Sequence, residues 1–257
     1  MALKFAAMGY HAFVLKYSTY GIDLKKISNF REMMPVEKNS LFPNPMLDIA
    51  KAMLLIRERA EEWKVDTDKI VLCGFSAGAH NCAMYGVYWN QPVILDAIDT
   101  KAEQLKPAAL ILGYSPFDFV MHVKLLPTMS TDNQGLFEFF SLAYTGMLTP
   151  DEEMFRRISP YFHVSDHTPP TFLWSTANDE LVPPQHTTAM ANALAVNKIP
   201  FEMHIFEEGP HGLSLANQSS AEFDDDINPD VSEWVRLAER WLLKRFRLEV
   251  QRPREIS

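Results

Sequence analysis

Gly74-Phe75-Ser76-Ala77-Gly78 is the stretch whose reading decides the fold. The run before it, Lys69-Ile70-Val71-Leu72-Cys73, reads as a buried strand. The run after it, Ala79-His80-Asn81-Cys82-Ala83-Met84-Tyr85, reads as a helix. A strand, Gly-x-Ser-x-Gly and a helix together make a sharp, strained turn that lifts the serine hydroxyl above a sheet edge. Glycines two residues either side of Ser76 are expected to remove Cβ atoms that would meet the strand and the helix. The N–H of Ala77 falls at the helix N-terminus, where backbone donors lack intrahelical acceptors. It is therefore the candidate donor to an oxyanion.

Two further stretches point to the same edge. Thr171-Phe172-Leu173-Trp174-Ser175-Thr176-Ala177-Asn178-Asp179 opens as an apolar strand, ends in small and polar residues and delivers Asp179 just past the strand's end. Phe201-Glu202-Met203-His204-Ile205-Phe206 is another strand, followed by Glu207-Glu208-Gly209-Pro210-His211-Gly212, in which His211 sits in a glycine-flanked loop. In a parallel sheet the loops after all three strands lie on one edge.

The residue types fit one chemistry. A serine hydroxyl is a poor nucleophile at neutral pH and needs a base within hydrogen-bond reach. His211 can take the proton of Ser76 and return it to a leaving group. Asp179 can fix the imidazole tautomer and stabilise the imidazolium. Plainer readings stand beside these: Asp179 as a helix cap ahead of Pro183-Pro184, and His211 as a solvated loop histidine.

On these residues the chain resembles the α/β-hydrolase superfamily, whose triad runs Ser, Asp, His along the chain. More narrowly, it is similar to small bacterial acetylesterase, lipase-like and xylan-esterase-like proteins. The narrower likeness rests on residues 74–80, on Asp179-Glu180-Leu181-Val182-Pro183 and on Gly209-Pro210-His211-Gly212. Residues 9–17 and Glu61-Glu62-Trp63-Lys64-Val65-Asp66 share it. The resemblance implies an α/β-hydrolase fold, a mostly parallel sheet with helices on both faces. It also implies a serine esterase acting on short acyl esters, acetylated sugars among them, with Ser76, Asp179 and His211 as the triad and no cofactor.

The chain departs from that pattern in two places. Ala79 stands where the family has a second glycine, which crowds the turn slightly but favours the helix. The larger departure is at the start: the first strands, and the glycine-rich loop that supplies further oxyanion donors, are missing. Residues 1–10 resemble the helix after that loop, and residues 11–17 the fourth strand. The third strand would lie between the fourth and the strand of the elbow, so its absence leaves a gap inside the sheet. Three explanations fit: a fragment or an internal start, a fourth strand paired directly with the elbow strand, or a partner chain in the gap. The first is preferred. Loss of one oxyanion donor typically costs about 10²–10³ in rate. A non-catalytic homologue is therefore a competing reading. A peptidase similar to the prolyl oligopeptidase family is another, weakened by the lack of any propeller-like repeat.

Composition bounds the rest. At 257 residues, 47% apolar, the chain suits one α/β domain over 1–257. A formal charge of −9 argues against nucleic acid and against anionic membrane as partners. The expected partner is a small-molecule ester, with homo-oligomerisation left open. Cys73 and Cys82 read as buried free thiols without metal or redox spacing. No secretory pattern and no span of about 18 apolar residues is present, which gives a cytoplasmic expectation. His163-Val164-Ser165-Asp166-His167 lies between prolines and is not read as a metal site. Glu222 with Asp224-Asp225-Asp226 lacks the spacing and turn glycine of a calcium loop.

Along the chain, Asn44-Pro45 reads as an N-cap with proline at the first helical position. Met46, Ile49, Met53, Leu54 and Ile56 repeat at helical spacing up to Trp63. Residues 107–113 read as a strand. Residues 115–168 read as a cap-like insertion whose bulky side chains wall the pocket, with Tyr114, Phe117 and His80 as candidate substrate contacts. Residues 184–197 read as a helix. Asp230 is taken to cap the last helix, with Trp234, Ala238, Trp241, Leu242 and Phe246 as its buried stripe. The polar tail beyond Arg247 is taken as frayed.

Overall fold

Each strand has five or six residues, too few for a stable helix; the first three are apolar runs and the fourth alternates Phe201-Glu202-Met203-His204-Ile205-Phe206, and each ends in a turn at the same edge of one sheet. The computed structural model describes residues 1–20 and 36–246. In chain order these form α1 (Ala2–Ala7), α2 (Asn44–Glu58), α3 (Ala60–Trp63), β1 (Val71–Phe75), α4 (Ala77–Tyr88), α5 (Pro92–Ile98), β2 (Ala109–Gly113), α6 (Phe119–Leu125), α7 (Thr131–Thr145), α8 (Glu152–Arg157), β3 (Thr171–Thr176), α9 (Gln185–Val196), β4 (Phe201–Phe206), α10 (Pro229–Ser232) and α11 (Trp234–Arg245). The sheet is parallel in the order β1-β2-β3-β4. Each parallel pair needs a crossover, and the helices between successive strands supply it. Gly113 pairs with Phe75 on one side and Trp174 on the other, and Thr176 pairs with Phe206. The strand ends are thus level, and the loops that follow them are neighbours.

Side-chain alternation along the strands builds a core on each face. Leu110, Leu112 and Leu173 meet Ala79 and Ala83 of α4 and Met190 and Leu194 of α9. Ile111, Phe172 and Trp174 point the other way, onto Trp234, Ala238 and Trp241 of α11. Trp174 and Trp234 stack at 5.1 Å and 15°. A fully buried tryptophan is worth about 3–5 kcal/mol on truncation to alanine, so this pair anchors the last helix to the centre of the sheet. A third cluster joins Met46, Ile49, Ala50 and Met53 of α2 to Met84 and Tyr85 of α4.

Several expectations change. Residues 11–17 form no strand: they run without regular structure and largely exposed. Phe13 lies against the Trp63 ring at 5.3 Å, and Ser18 N–H donates to Asp48 Oδ2 at 2.8 Å. A segment becomes a strand only where a neighbour takes its backbone groups, and none of the four described strands pairs with this segment. Cys73 is exposed, not buried: β1 pairs only with β2 among the described strands. Asn44 is the first residue of α2 and its side chain donates to Lys38 O at 2.8 Å instead of capping. Asn228, not Asp230, is the cap at the other end of the chain. It accepts from Val231 N–H ahead of α10. The tail after 246 lies outside the described residues. Among the described residues no helix is long and apolar enough to cross a membrane, and no group of three or more metal-binding side chains comes together.

Candidate active site

The turn after β1 is as tight as the sequence implies. Ser76 has φ 50° and ψ −123°. That is a left-handed backbone on a side-chain-bearing residue, which costs on the order of 1–3 kcal/mol. Ser76 N–H donates to Gly113 O at 3.0 Å, and His80 N–H donates to Ser76 O at 2.9 Å, so the strained residue is pinned from β2 and from α4. Gly74 is indispensable to this geometry. A Cβ there would sit 2.6 Å from the Gly78 carbonyl carbon and 2.7 Å from Ala79 N, both backbone atoms that cannot move aside. Gly78 is different: a Cβ there would meet only the Tyr17 hydroxyl, at 3.9 Å. The expectation that both glycines make room holds for the first alone, because a Cβ at the second would meet no atom closer than an ordinary van der Waals contact.

Asp179 follows β3 and is buried. Its Oδ1 accepts from Leu181 N–H at 3.0 Å and Val182 N–H at 2.8 Å, while Oδ2 lies 2.7 Å from His211 Nδ1. Asp179 is not the cap of the following helix, whose N-cap is Pro184: one oxygen closes its own turn through Leu181 and Val182, and the other meets the histidine. His211 Nε2 lies 2.8 Å from Ser76 Oγ. With the carboxylate oxygen accepting from Nδ1–H, Nε2 is free to accept the hydroxyl proton.

The loop that carries His211 is itself tied down. Asn178 Oδ1 accepts from Gly209 N–H at 2.8 Å, and Thr176 Oγ1 donates to Gly209 O at 2.7 Å. Gly209 has φ 148°, and a Cβ there would stand 2.6 Å from Leu213 Cδ1. On the far side, Tyr114 packs its ring edge against His211 at 5.1 Å and accepts Ser214 N–H on its hydroxyl at 3.1 Å.

Ala77 is the first residue of α4 and is exposed, so its N–H stands beside Ser76 Oγ with no helical acceptor to claim it. A cavity of about 290 Å³ opens from this point, walled by Ser76, His80, Phe119, Phe137, Tyr144 and Leu181 among others. Aromatic side chains of α6 and α7 form its apolar wall. His80 is buried in that wall, with Nε2 2.7 Å from Ile158 O. Burial pulls its pKa down to about 4, so the ring is neutral at pH 7.

Two of the expected substrate contacts lie elsewhere. Tyr114 is buried, with its ring edge against His211, and does not line the cavity. Phe117 is packed in the core on Leu173 and Met190, and its neighbours Pro116 and Phe119 reach the cavity instead. A buried pair, His122 on α6 and His186 on α9, was not singled out by the sequence. Its one legible sign is that His186 shares an apolar helical face with Met190 and Leu194, at spacings of four. Of the His163–His167 stretch, His163 bonds Tyr88 and Arg156 O, and His167 lies 3.6 Å from Asp166 at the surface.

Known proteins carry the same framework. Residues 27–194 match the family described as BD-FAE. The chain is 31% identical over 221 residues to endo-1,4-beta-xylanase B of Butyrivibrio fibrisolvens, covering 84% of this chain and 29% of that protein. Among solved structures, the carboxylesterase Cest-2923 of Lactobacillus plantarum is 29% identical with a TM-score of 0.65, covering 82% of this chain and 70% of the other. The acetyl ester-xyloside bifunctional hydrolase of Caldicellulosiruptor lactoaceticus is 30% identical with a TM-score of 0.61, covering 79% and 66%. The chain spans 29–39% of the length of the curated relatives it matches. The parallel sheet, the elbow after β1 and the family match over about two thirds of the chain lead to one conclusion: this protein has the α/β-hydrolase fold and belongs to the BD-FAE family.

Proposed function

We propose that this chain is a serine carboxylesterase that cleaves short-chain esters, acetylated carbohydrate among them, through an acyl-enzyme on Ser76. The observation that carries the reading is the unbroken hydrogen-bonded chain Ser76–His211–Asp179, at 2.8 and 2.7 Å, at the mouth of an apolar cavity. As Ser76 Oγ attacks the ester carbonyl carbon, its proton passes to His211 Nε2. Asp179 Oδ2 holds the Nδ1–H and stabilises the imidazolium without taking the proton. The oxyanion forms beside the N–H of Ala77. On collapse, the alcohol leaves with the proton from Nε2. Water then repeats the sequence on the acyl-enzyme and releases the acid. Residues 115–168 act as the cap of a single domain, and their aromatic side chains receive the apolar part of the ester. The Caldicellulosiruptor lactoaceticus relative, named for an acetyl ester-xyloside activity, supports acetylated sugar as a substrate class.

Hydrolysis of p-nitrophenyl acetate by the folded chain, compared with its Ser76→Ala variant, tests this. Turnover that falls by about 10⁶ in kcat in the variant is expected, as for other serine hydrolases stripped of their nucleophile. Equal rates for the two proteins would refute the reading.

A further inference from the structure

The cavity that opens at Ser76 lies to one side of it, and the place of His211 decides which part of an ester can enter. Ala77 and His80 bring α4 to its wall, Phe119 brings α6, and Phe137 and Tyr144 bring α7. His211 is not part of that wall, although its Nε2 lies 2.8 Å from Ser76 Oγ. The carbon attacked by Oγ carries three other groups in the tetrahedral intermediate. Its oxyanion belongs beside the N–H of Ala77. Its leaving oxygen must come within hydrogen-bond reach of His211 Nε2, which returns the proton to it. The alcohol is therefore held on the His211 side, outside the cavity, and the acyl chain takes the remaining direction.

The wall offers little to a sugar. Ser40 Oγ donates to Ala143 O at 2.7 Å, His80 Nε2 lies 2.7 Å from Ile158 O, and His122 Nδ1 lies 2.9 Å from His186 Nε2, so these groups are spent within the protein. The unpartnered Asn81 Oδ1, His122 Nε2 and Tyr144 hydroxyl are closed off beneath the surface. Tyr17, Ser18 and Thr19 add polar neighbours on one flank only, half-buried or exposed, where water serves them. A hydroxyl pressed against the remaining carbon surface would lose its hydrogen bonds; a methylene there gains.

We propose that the cavity is the acyl pocket, and that the chain prefers straight acyl groups of about six to eight carbons over acetyl. The alcohol, a sugar included, stays at the rim beside His211. The proposal rests on the carboxylesterase reading and names the acyl group of its substrate. The cavity measures about 290 Å³. One water claims about 30 Å³ of the liquid, and a methyl or methylene group is of similar size. An acetyl methyl therefore leaves most of the cavity unfilled. Each further methylene exchanges water for the carbon of Phe119, Phe137 and Leu181, worth about fourfold in kcat/KM. The gain ends where the chain has filled the cavity. Acetylated sugars are then substrates that use the catalytic groups and leave the pocket idle.

The test uses two isomers, ethyl hexanoate and hexyl acetate, which differ only in the side of the ester that carries the long chain. Release of acid is followed by titration at constant pH. Ethyl hexanoate is expected to exceed hexyl acetate by about tenfold or more in kcat/KM. Across p-nitrophenyl esters of rising acyl length, kcat/KM is expected to climb from the acetate and to level off at about six to eight carbons. Ala143 lines the cavity from α7. In Ala143→Phe the added ring takes up acyl space, and the ratio of p-nitrophenyl hexanoate to acetate is expected to fall by about tenfold. Should that variant not fold, the isomer comparison on the parent protein decides alone. Equal rates for the isomers, or a preference for hexyl acetate, overturn the proposal. So does a p-nitrophenyl series that is fastest at acetate, or a ratio unchanged in folded Ala143→Phe. Esters cleaved with the wrong preference sink the acyl pocket and leave the carboxylesterase reading standing. If p-nitrophenyl acetate and both isomers all go uncleaved, the carboxylesterase reading fails and this proposal falls with it.

Discussion

His211 and His186 obey opposite rules within one molecule. His211 stands on the rim of the sheet, with a carboxylate on one ring nitrogen and a hydroxyl on the other. Its surroundings leave one nitrogen free to gain and lose a proton. His186 lies on the floor, fully buried, with two backbone N–H groups on Nδ1 and a second imidazole on Nε2. Its surroundings fix the proton in one place and depress the charged form. On the proposed reading, the same side chain is a proton carrier where a carboxylate meets it at the solvent edge. It is a static donor where apolar packing excludes the partner charge.

Asp179→Asn is the sharpest way to collapse the difference. The amide keeps an oxygen for Leu181 and Val182 N–H, so the turn after β3 survives. What is lost is the negative oxygen that holds the proton on Nδ1 and stabilises the imidazolium. The expected loss is about 10⁴ in kcat with little change in thermal stability. Activity within tenfold of the parent would mean that His211 is not working as a base in the way its geometry indicates.

Acid should act on the floor instead. His80 and His122 have folded-state pKa values near 4 against an ordinary value of 6.5, because burial disfavours the cation. Between those limits the unfolded chain binds protons that the folded chain refuses, so folding stability rises with pH across the window. Their contribution is fully present above about pH 6.5 and is lost as the pH falls toward 4, on the order of 3 kcal/mol for each histidine. Urea midpoints measured at intervals through this range should decline, with the steepest fall between about pH 6 and 4.5. A flat profile would show that the buried rings accept protons in place, and that the floor is wetter than its packing implies.

The rim was legible in the sequence and the floor was not, for physical reasons. Ser76, Asp179 and His211 each follow a short apolar strand and sit among glycines or small polar residues. In a parallel sheet such positions must be neighbours. The strands themselves shifted by no more than two residues, as with β1 beginning at Val71 where the sequence reading began at Lys69. Residues 11–17 misled because a family resemblance states only that a strand is possible, while pairing decides whether one forms. Tyr114 and Phe117 misled for a different reason. Both pack into the core, Tyr114 beside Trp174 and Phe117 on Leu173 and Met190, and no sequence pattern tells a core contact from a cavity contact for an aromatic in a loop. The histidine pair is invisible to periodicity because its two members come from helices 64 positions apart and meet only through the crossover of the chain.

Tyr114 offers the finest probe of the boundary between the two regimes, since it belongs to neither. Its ring supports the outer face of His211, and its hydroxyl holds Ser214 N–H, the loop residue whose carbonyl in turn accepts Trp234 Nε1–H at 2.8 Å. Tyr114→Phe keeps the ring and removes only the tether. The loop would remain packed through Leu213 and Trp234, so the expected loss of stability is about 1 kcal/mol, the worth of one hydrogen bond. His211 would then sample positions a few tenths of an ångström from Ser76 Oγ. That should lower kcat by roughly threefold to tenfold with KM unchanged, because orientation matters most as the proton moves. Steady-state kinetics on p-nitrophenyl acetate beside a thermal melt separate the two effects. A change in KM alone would place Tyr114 against the substrate after all. No change in either constant would mean that the Asp179 contact and the ring of Tyr114 suffice to hold the histidine.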